Sequence, residues 1–307
     1  MIIHPGFVGI DVSKHHLDVF EHERIERVPN SKDSIAGLVE RWKGSFVLFE
    51  ATGRYDAQLR RGLQMAGIAF ARVNPARARD FARATGRLAK TDAIDARMLA
   101  LMAQCLSVAS ARASDTEREA LARAHKRRDQ LVQMRQQERT RLTECDDEAD
   151  LRASLEQHLR WLDQEVAGLD AKIRNLLEAS ERLAQNARKL RSIPGIGPVA
   201  ATTLLALVPE LGSLSPKKIA ALAGLAPFNV DSGQFRGIRR IKGGRKRVRD
   251  ALYMAAVAAA RSHARFNTIY QRLRAAGKPA KVALIAIARK LLITANAVLR
   301  DNVAFRN

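Results

Sequence analysis

From about residue 113 to residue 191 the chain carries one glycine, Gly168, and no proline. A stretch free of both breakers can run as long helices, because in a helix interior Gly costs about 1 kcal/mol and Pro about 3. Within it Leu155, Leu159, Leu162, Val166, Leu169, Ile173 and Leu176 step by 4, 3, 4, 3, 4 and 3, and Leu183 and Leu190 continue the seam. Such a heptad seam predicts a coiled coil. The earlier half, around Leu121, Leu131 and Leu142, fits less well, with Arg128, Arg135 and Glu138 near the same seam. Asp146-Asp147-Glu148 is the expected turn between two antiparallel helices. A coiled-coil hairpin used as an oligomerisation arm is one reading; a helical bundle within one chain fits the same periodicity.

The flanks differ. Phe7–Val12, Leu17–Glu21 and Arg24–Val28 read as short strands of a meander, and a helix capped by Ser31 or Asp33 runs through Trp42. Phe46-Val47-Leu48-Phe49 is an uninterrupted apolar run, as in a strand buried on both faces. A helix over Asp56–Ala66 and a strand over Ile68–Val73 follow. This order predicts an α/β unit that resembles an RNase H-like sheet, antiparallel first and parallel later. Beyond residue 192 the chain is mainly helical and Ala-rich.

Lys and Arg number 53 against 32 Asp and Glu, a net charge of +21. That excess speaks of partners rather than of fold, and nucleic acid leads, ahead of an anionic membrane surface. No apolar stretch of about 18 residues lacks charge; the most hydrophobic late segment, Pro279–Leu299, contains Lys281, Arg289 and Lys290. No membrane span or secretion signal is expected. Cys105 and Cys145 stand alone and fit neither a disulfide framework nor a zinc site, so the expectation is a reduced, cytoplasmic protein.

Four carboxylates invite chemistry. Asp11 lies inside the first strand, where a charge is costly unless compensated. Glu50 closes the buried run, where a carboxylate emerges at the carboxyl end of the sheet. Asp92 and Asp95 are three apart, on one face if helical. Singly, each has an ordinary reading: a strand-end turn residue, a surface acid, an acid favoured by a helix dipole. Converging, they would repel one another unless a cation is held. Mg²⁺ suits an all-oxygen set, and a pair of ions about 3.5–4 Å apart stabilises both oxygens of phosphoryl transfer. Asp18, Asp33 and Asp56 lack the buried-strand setting expected of Asp11 and Glu50.

A second set lies late in the chain. Pro194-Gly195-Ile196-Gly197-Pro198 before an apolar helix looks like the link of a helix-hairpin-helix element, in which Gly195 and Gly197 let backbone N–H groups approach phosphate. A plain helix–helix turn is the alternative. Ser215-Pro216 opens a helix that stops near Gly224, and a turn-rich loop follows. Arg236, Arg239, Arg240, Lys242, Arg245, Lys246, Arg247 and Arg249 then form an acid-free basic run suited to phosphate backbones. Ser232 stands just before it, ahead of Gly233. It reads as a turn residue or as a nucleophile; the latter needs activation, and no His is close in sequence.

Gly9-Ile10-Asp11-Val12-Ser13-Lys14, Phe49-Glu50-Ala51-Thr52-Gly53, Lys90-Thr91-Asp92-Ala93-Ile94-Asp95-Ala96, Ile193-Pro194-Gly195-Ile196-Gly197 and Leu222-Ala223-Gly224-Leu225-Ala226-Pro227 occur in that order. In them the chain resembles the DEDD transposases of the insertion sequence 110 family, the bridge-RNA-guided recombinases of bacterial mobile elements. The resemblance covers essentially the whole chain. It implies a RuvC-like catalytic domain over 1–108, a coiled-coil region over 109–191 and a C-terminal transposase domain over 192–307. Its DEDD set maps to Asp11, Glu50, Asp92 and Asp95, binding Mg²⁺, and its nucleophilic serine to Ser232, which forms a phosphoserine link to DNA. Where the family often has two serines before the glycine, this chain has Asp231 and Ser232. Implied partners are donor and target DNA, a structured non-coding guide RNA, and further copies of the chain as dimer or tetramer, in the bacterial cytoplasm at the nucleoid. Two other readings use the same residues: a junction-resolving nuclease attacking with water, and a nucleic-acid-binding protein without catalysis.

Overall fold

The computed structural model describes residues 6–86, 92–106, 108–110, 115–145, 148–228, 231–232, 235–236 and 239–306, with only the backbone course of Asp92, Ala93, Asp231, Ser232, Phe235 and Arg236. The chain divides into two compact units, Met1–Ser114 and Asp115–Asn307.

The first unit is built on a five-stranded mixed sheet. Its strands are β1 (Phe7–Val12), β2 (His16–Glu21), β3 (Arg24–Pro29), β4 (Phe46–Glu50) and β5 (Ala69–Val73), in spatial order β3-β2-β1-β4-β5. β1, β2 and β3 pair antiparallel; β4 joins β1 in parallel and β5 joins β4 in parallel. Antiparallel first and parallel later is the arrangement the sequence order predicts. Helices α1 (Lys32–Arg41), α2 (Ala57–Met65), α3 (Pro75–Ala84) and α4 (Asp92–Cys105) complete the unit. Of the two cap candidates, Ser31 caps α1, accepting from the Ser34 N–H at 3.2 Å, and Asp33 sits in the first turn.

Successive strand side chains face opposite ways, so the sheet packs on both sides. Val8, Ile10, Val47, Phe49 and Phe70 meet Ile35, Leu38, Trp42, Leu59 and Leu63 of the α1–α2 side. On the other face Leu48, Ala71 and Val73 meet Leu99 and Met102 of α4. Burial on both faces is why Phe46–Phe49 is apolar without alternation.

The second unit is helical. Its long helices are α5 (Thr116–Glu144) and α6 (Ala149–Glu178), followed by α7 (Glu181–Arg191), α8 (Pro198–Leu207) and α9 (Pro216–Leu222). The short strands β6 (Pro227–Phe228), β7 (Asp231–Ser232), β8 (Phe235–Arg236) and β9 (Arg240–Ile241) then precede α10 (Lys246–Ser262), α11 (Ala264–Ala275) and α12 (Ala280–Arg300). α5 and α6 pack antiparallel over Leu131, Leu162 and Val166. Arg128 pairs with Asp170 at 2.5 Å and Arg135 with Asp163 at 2.7 Å. One partner advances by seven residues while the other retreats by seven, which is the heptad step. The charges that spoil the α5 seam in the sequence thus cross to α6. Leu121, Ala124 and Ile173 share a core with α8, α10 and α12.

Helix α12 is, among the described helices, the one long and apolar enough to cross a membrane by length and composition. Here Ile287, Ala288, Leu291, Leu292 and Ala295 are buried in that core, and its buried Asn296 accepts from the Gly212 N–H and donates to the Leu214 carbonyl.

Candidate functional site

Asp11 and Glu50 are brought together by strand register. Gly9 lies beside Leu48 and Ile10 beside Phe49 across the parallel β1–β4 pair, and one further step places Asp11 beside Glu50. Both are half-buried at the carboxyl ends of their strands. They share the face of Gly9 and Leu48, the face covered by α4. A Cβ on Gly9 would lie 2.0 Å from the Ala96 carbonyl oxygen and 2.4 Å from the Ala100 nitrogen. Only glycine lets α4 approach this closely. Asp95 directly precedes Ala96, and Asp92 opens the same helix nearly one turn earlier. The contact at Gly9 thus seats the start of α4 two residues from Asp11.

The acids set aside in the sequence have other tasks, and one setting differs from expectation. Asp18 stands directly opposite Asp11 on β2 and is only 5% exposed, so it does share a buried-strand environment. Its carboxylate accepts two bonds from Arg27, at 2.8 and 3.1 Å. This pairing offsets the cost of facing two like charges across adjacent strands. Asp56, 1% exposed, accepts from Arg72 at 2.7 Å and from the Thr52 N–H at 3.2 Å. It braces the segment that leaves Glu50, a positioning role that its place before a helix did not signal. Among the described residues no three His, Cys, Asp or Glu side chains are grouped to hold a metal ion; the Asp92 side chain is outside that description.

In the second unit the turn-rich loop is a ribbon. Pro227 pairs with Ile241 and Phe228 with Arg240; farther out, Asp231 pairs with Arg236 and Ser232 with Phe235. Strands of two residues leave no periodicity for a sequence to show. Ser232 forms the outermost pair, with Gly233 and Gln234 between it and Phe235, and Asp231 stands across from Arg236. At the base of the ribbon the Arg245 N–H donates to the Leu222 carbonyl at 2.9 Å.

The basic run has two populations. Arg245 is held bidentately by Glu210 at 2.6 and 2.7 Å, Arg247 by Asp129, and Arg249 donates to the Gly243 carbonyl at 2.7 Å. Lys246 pairs with Asp250 at 2.7 Å on the surface. Arg239, Arg240 and Lys242 are exposed on the ribbon, and the side chain of Arg236 is outside the description. The two glycines of the α7–α8 link also diverge. A Cβ on Gly195 would meet the Ala255 carbonyl oxygen at 2.3 Å, so this glycine seats the link against α10; Gly197 is exposed at the start of α8 with open space beside it.

Sequence comparison bears on both sets. Residues 187–271 match the family described as "Transposase IS116/IS110/IS902 family", and residues 8–149 match the DEDD transposase family of IS110 elements. The chain is 30% identical over 268 residues to the pilin gene-inverting protein of Moraxella lacunata, covering 84% of this chain and 81% of that protein. The chain belongs to the IS110 family of transposases. In this transposase the segment 8–149 covers the sheet strands and α4, and the segment 187–271 covers Gly195, Gly197, the ribbon and the basic run. Shorter similarity, 31% over 156 residues, links it to an uncharacterized 42 kDa protein of insertion element IS900 from Mycobacterium paratuberculosis and a 43.6 kDa protein of insertion element IS110 from Streptomyces coelicolor. Each covers 50% of this transposase and 38% of the relative. IS110-family membership makes the protein a DNA-recombining enzyme.

Proposed function

We propose that this transposase cuts and rejoins donor and target DNA through a phosphoserine intermediate on Ser232, guided by a structured RNA. The observation that carries the reading is the register pairing of Asp11 with Glu50 on the sheet face crossed by the helix of Asp92 and Asp95. In this reading the first unit is RuvC-like, and its four carboxylates would hold two Mg²⁺ ions, whose positive charge balances the four acids. The donor set fits by its chemistry: it is all oxygen, and Asp11 and Glu50 stand at the carboxyl edge of parallel strands, where open α/β sheets bind ligands. Bound there, Mg²⁺ supplies electrostatic stabilisation of the phosphate undergoing transfer.

The chain's own groups do the rest. The Ser232 oxygen attacks the scissile phosphorus; an oxygen–phosphorus bond forms as the bond to the departing strand breaks, and that strand's oxygen takes up a proton. The hydroxyl of the new partner strand then attacks the phosphoserine and frees the serine. One ester replaces another at each step, so no energy-rich co-substrate is consumed. Arg239, Arg240 and Lys242, exposed on the same ribbon as Ser232, suit the flanking phosphates. The link before α8 serves as a helix-hairpin-helix contact through exposed Gly197, with Gly195 shaping it. The acidic and serine halves come from different subunits of a dimer or tetramer joined through the α5–α6 coiled coil. The enzyme works in the cytoplasm, at the nucleoid.

Sequencing of RNA that copurifies with the protein, followed by recombination assays with that RNA in Mg²⁺, tests this function. One enriched structured RNA, and strand exchange abolished by Asp11→Asn or Glu50→Gln, is the expected result. Absence of an enriched RNA rules out the guide, and full activity in both variants rules out the carboxylate site.

A further inference from the structure

Helices α5, α6, α7 and α8 line a cleft of about 610 Å³ within the second unit, apart from the ribbon residues. Its walls are apolar, from Ile173 and Leu177 of α6, Ala184 and Ala187 of α7, and Val199 of α8. Arg174, Arg188 and Arg191 also line it, and none of the three has an ion-pair partner among the described residues. Arg128 is there too, held by Asp170, and Glu178 contributes one carboxylate. Such a lining joins an apolar slot to unspent positive charge.

His125 supplies the polar feature of the cleft. It is 1% exposed, and its Nδ1 has no hydrogen-bond partner. Its Nε2 lies 3.1 Å from the Thr203 hydroxyl oxygen, and that hydroxyl donates to the Val199 carbonyl at 2.8 Å. One hydroxyl has one proton, so toward the imidazole the Thr203 oxygen accepts. This assigns the ring proton to Nε2 and leaves Nδ1 a bare acceptor. A buried acceptor without a donor is unfavourable, and a ligand N–H or O–H relieves that cost.

We propose that the cleft takes one unpaired nucleotide of a nucleic-acid strand. The base lies between the apolar walls, a donor on the nucleotide meets His125 Nδ1, and the adjoining phosphates meet Arg174, Arg188 and Arg191. The exposed start of α8 at Gly197 adds a favourable dipole for a phosphate. The proposal rests on the nucleic-acid reading above but not on the chemistry at Ser232. A base amine, common to DNA and RNA, and a ribose 2′-hydroxyl, found in RNA alone, are both donors that fit.

Fluorescence anisotropy of the full-length protein with labelled 12-nucleotide strands, one RNA and one DNA of the same sequence, tests it. Arg174→Ala with Arg188→Ala is expected to weaken binding about tenfold or more, through the loss of two phosphate contacts. Ala184→Met fills the slot without changing charge and is expected to weaken binding comparably. The exposed pair Arg139→Ala with Arg160→Ala, away from the cleft, serves as the control and stays within about twofold of wild type on the same electrostatic reasoning. Wild-type binding of equal strength to both strands assigns a base donor; a wild-type preference for RNA that Ala184→Met removes assigns the 2′-hydroxyl. If Ala184→Met binds as wild type does, the arginines form only a basic surface and the cleft proposal falls. If wild type binds neither strand, the nucleic-acid reading falls with it. Photocrosslinking of a 5-iodouracil strand to wild type needs no variant to fold: label on the α5 or α8 peptides lining the cleft supports the site, and label solely elsewhere overturns it.

Discussion

Gly9 carries more of the site than its size suggests. The Ala96 oxygen occupies the position a Cβ would need, 2.0 Å away, and both partners there are backbone. A methyl group therefore has to push α4 off β1, and with it Asp95. Gly9→Ala is expected to lower stability by about 2 kcal/mol or more, within the usual range for overpacking, and to depress strand cleavage beyond what lost stability explains. Denaturant melts and cleavage rates at a temperature where the variant is folded check this. His125 gives a second residue-scale expectation. Burial holds its imidazole below the ordinary value of 6.5, against Asp129, which favours the charged form; Arg247 and Arg128 oppose it, and Asp170 favours it more weakly. The unfolded chain therefore takes up a proton near pH 6.5 before the folded one does. Stability from this site is full above about pH 6.5 and declines as the pH falls below it, by at most about 1.4 kcal/mol per pH unit. His125→Gln is expected to flatten that part of a stability–pH profile; an unchanged slope contradicts the assignment.

At the scale of elements, α5 and α6 are locked in register by charge as well as by their apolar seam. Arg128→Glu is expected to destabilise the pair by placing two acids together at Asp170, and adding Asp170→Arg to restore part of the loss. A double-mutant cycle on thermal unfolding measures this coupling, expected at roughly 0.5–1 kcal/mol for a partly exposed pair. The ribbon makes a separate prediction. Replacing Arg239, Arg240 and Lys242 by Ala is expected to reduce the slope of log affinity for duplex DNA against log salt by about 2.7, if each meets one phosphate. Arg247→Ala is expected to act chiefly on stability, because its guanidinium is held by Asp129. Strands β1 and β4 follow from apolar runs several residues long, with Asp11 inside one and Glu50 at the end of the other, but their register does not. The division of Arg236–Arg249 into bound and free cations does not either, since Glu210 and Asp129 lie 35 and 118 residues from Arg245 and Arg247. Asp56 and Arg72 escaped for the same reason, and two-residue strands such as β7 and β8 carry no period to read.

Across the whole molecule, the charge of +21 is spread more widely than the basic ribbon. Residues 251–300 hold nine Lys or Arg and no Asp or Glu, and the cleft beside α8 adds three more arginines outside that run. A surface of this kind suits an enzyme that handles several phosphate backbones at once. The two matched family segments place the carboxylates in one unit and Ser232 in the other. On the proposed function, Ser232 is the group that attacks DNA. The most direct measurement is denaturing electrophoresis of the protein with labelled element-end DNA, Mg²⁺ and the copurified RNA, with the adduct mapped by mass spectrometry. A covalent protein–DNA species linked at Ser232, lost in Ser232→Ala, is the predicted result. Cleavage that continues in Ser232→Ala without an adduct would contradict it and assign the attack to water.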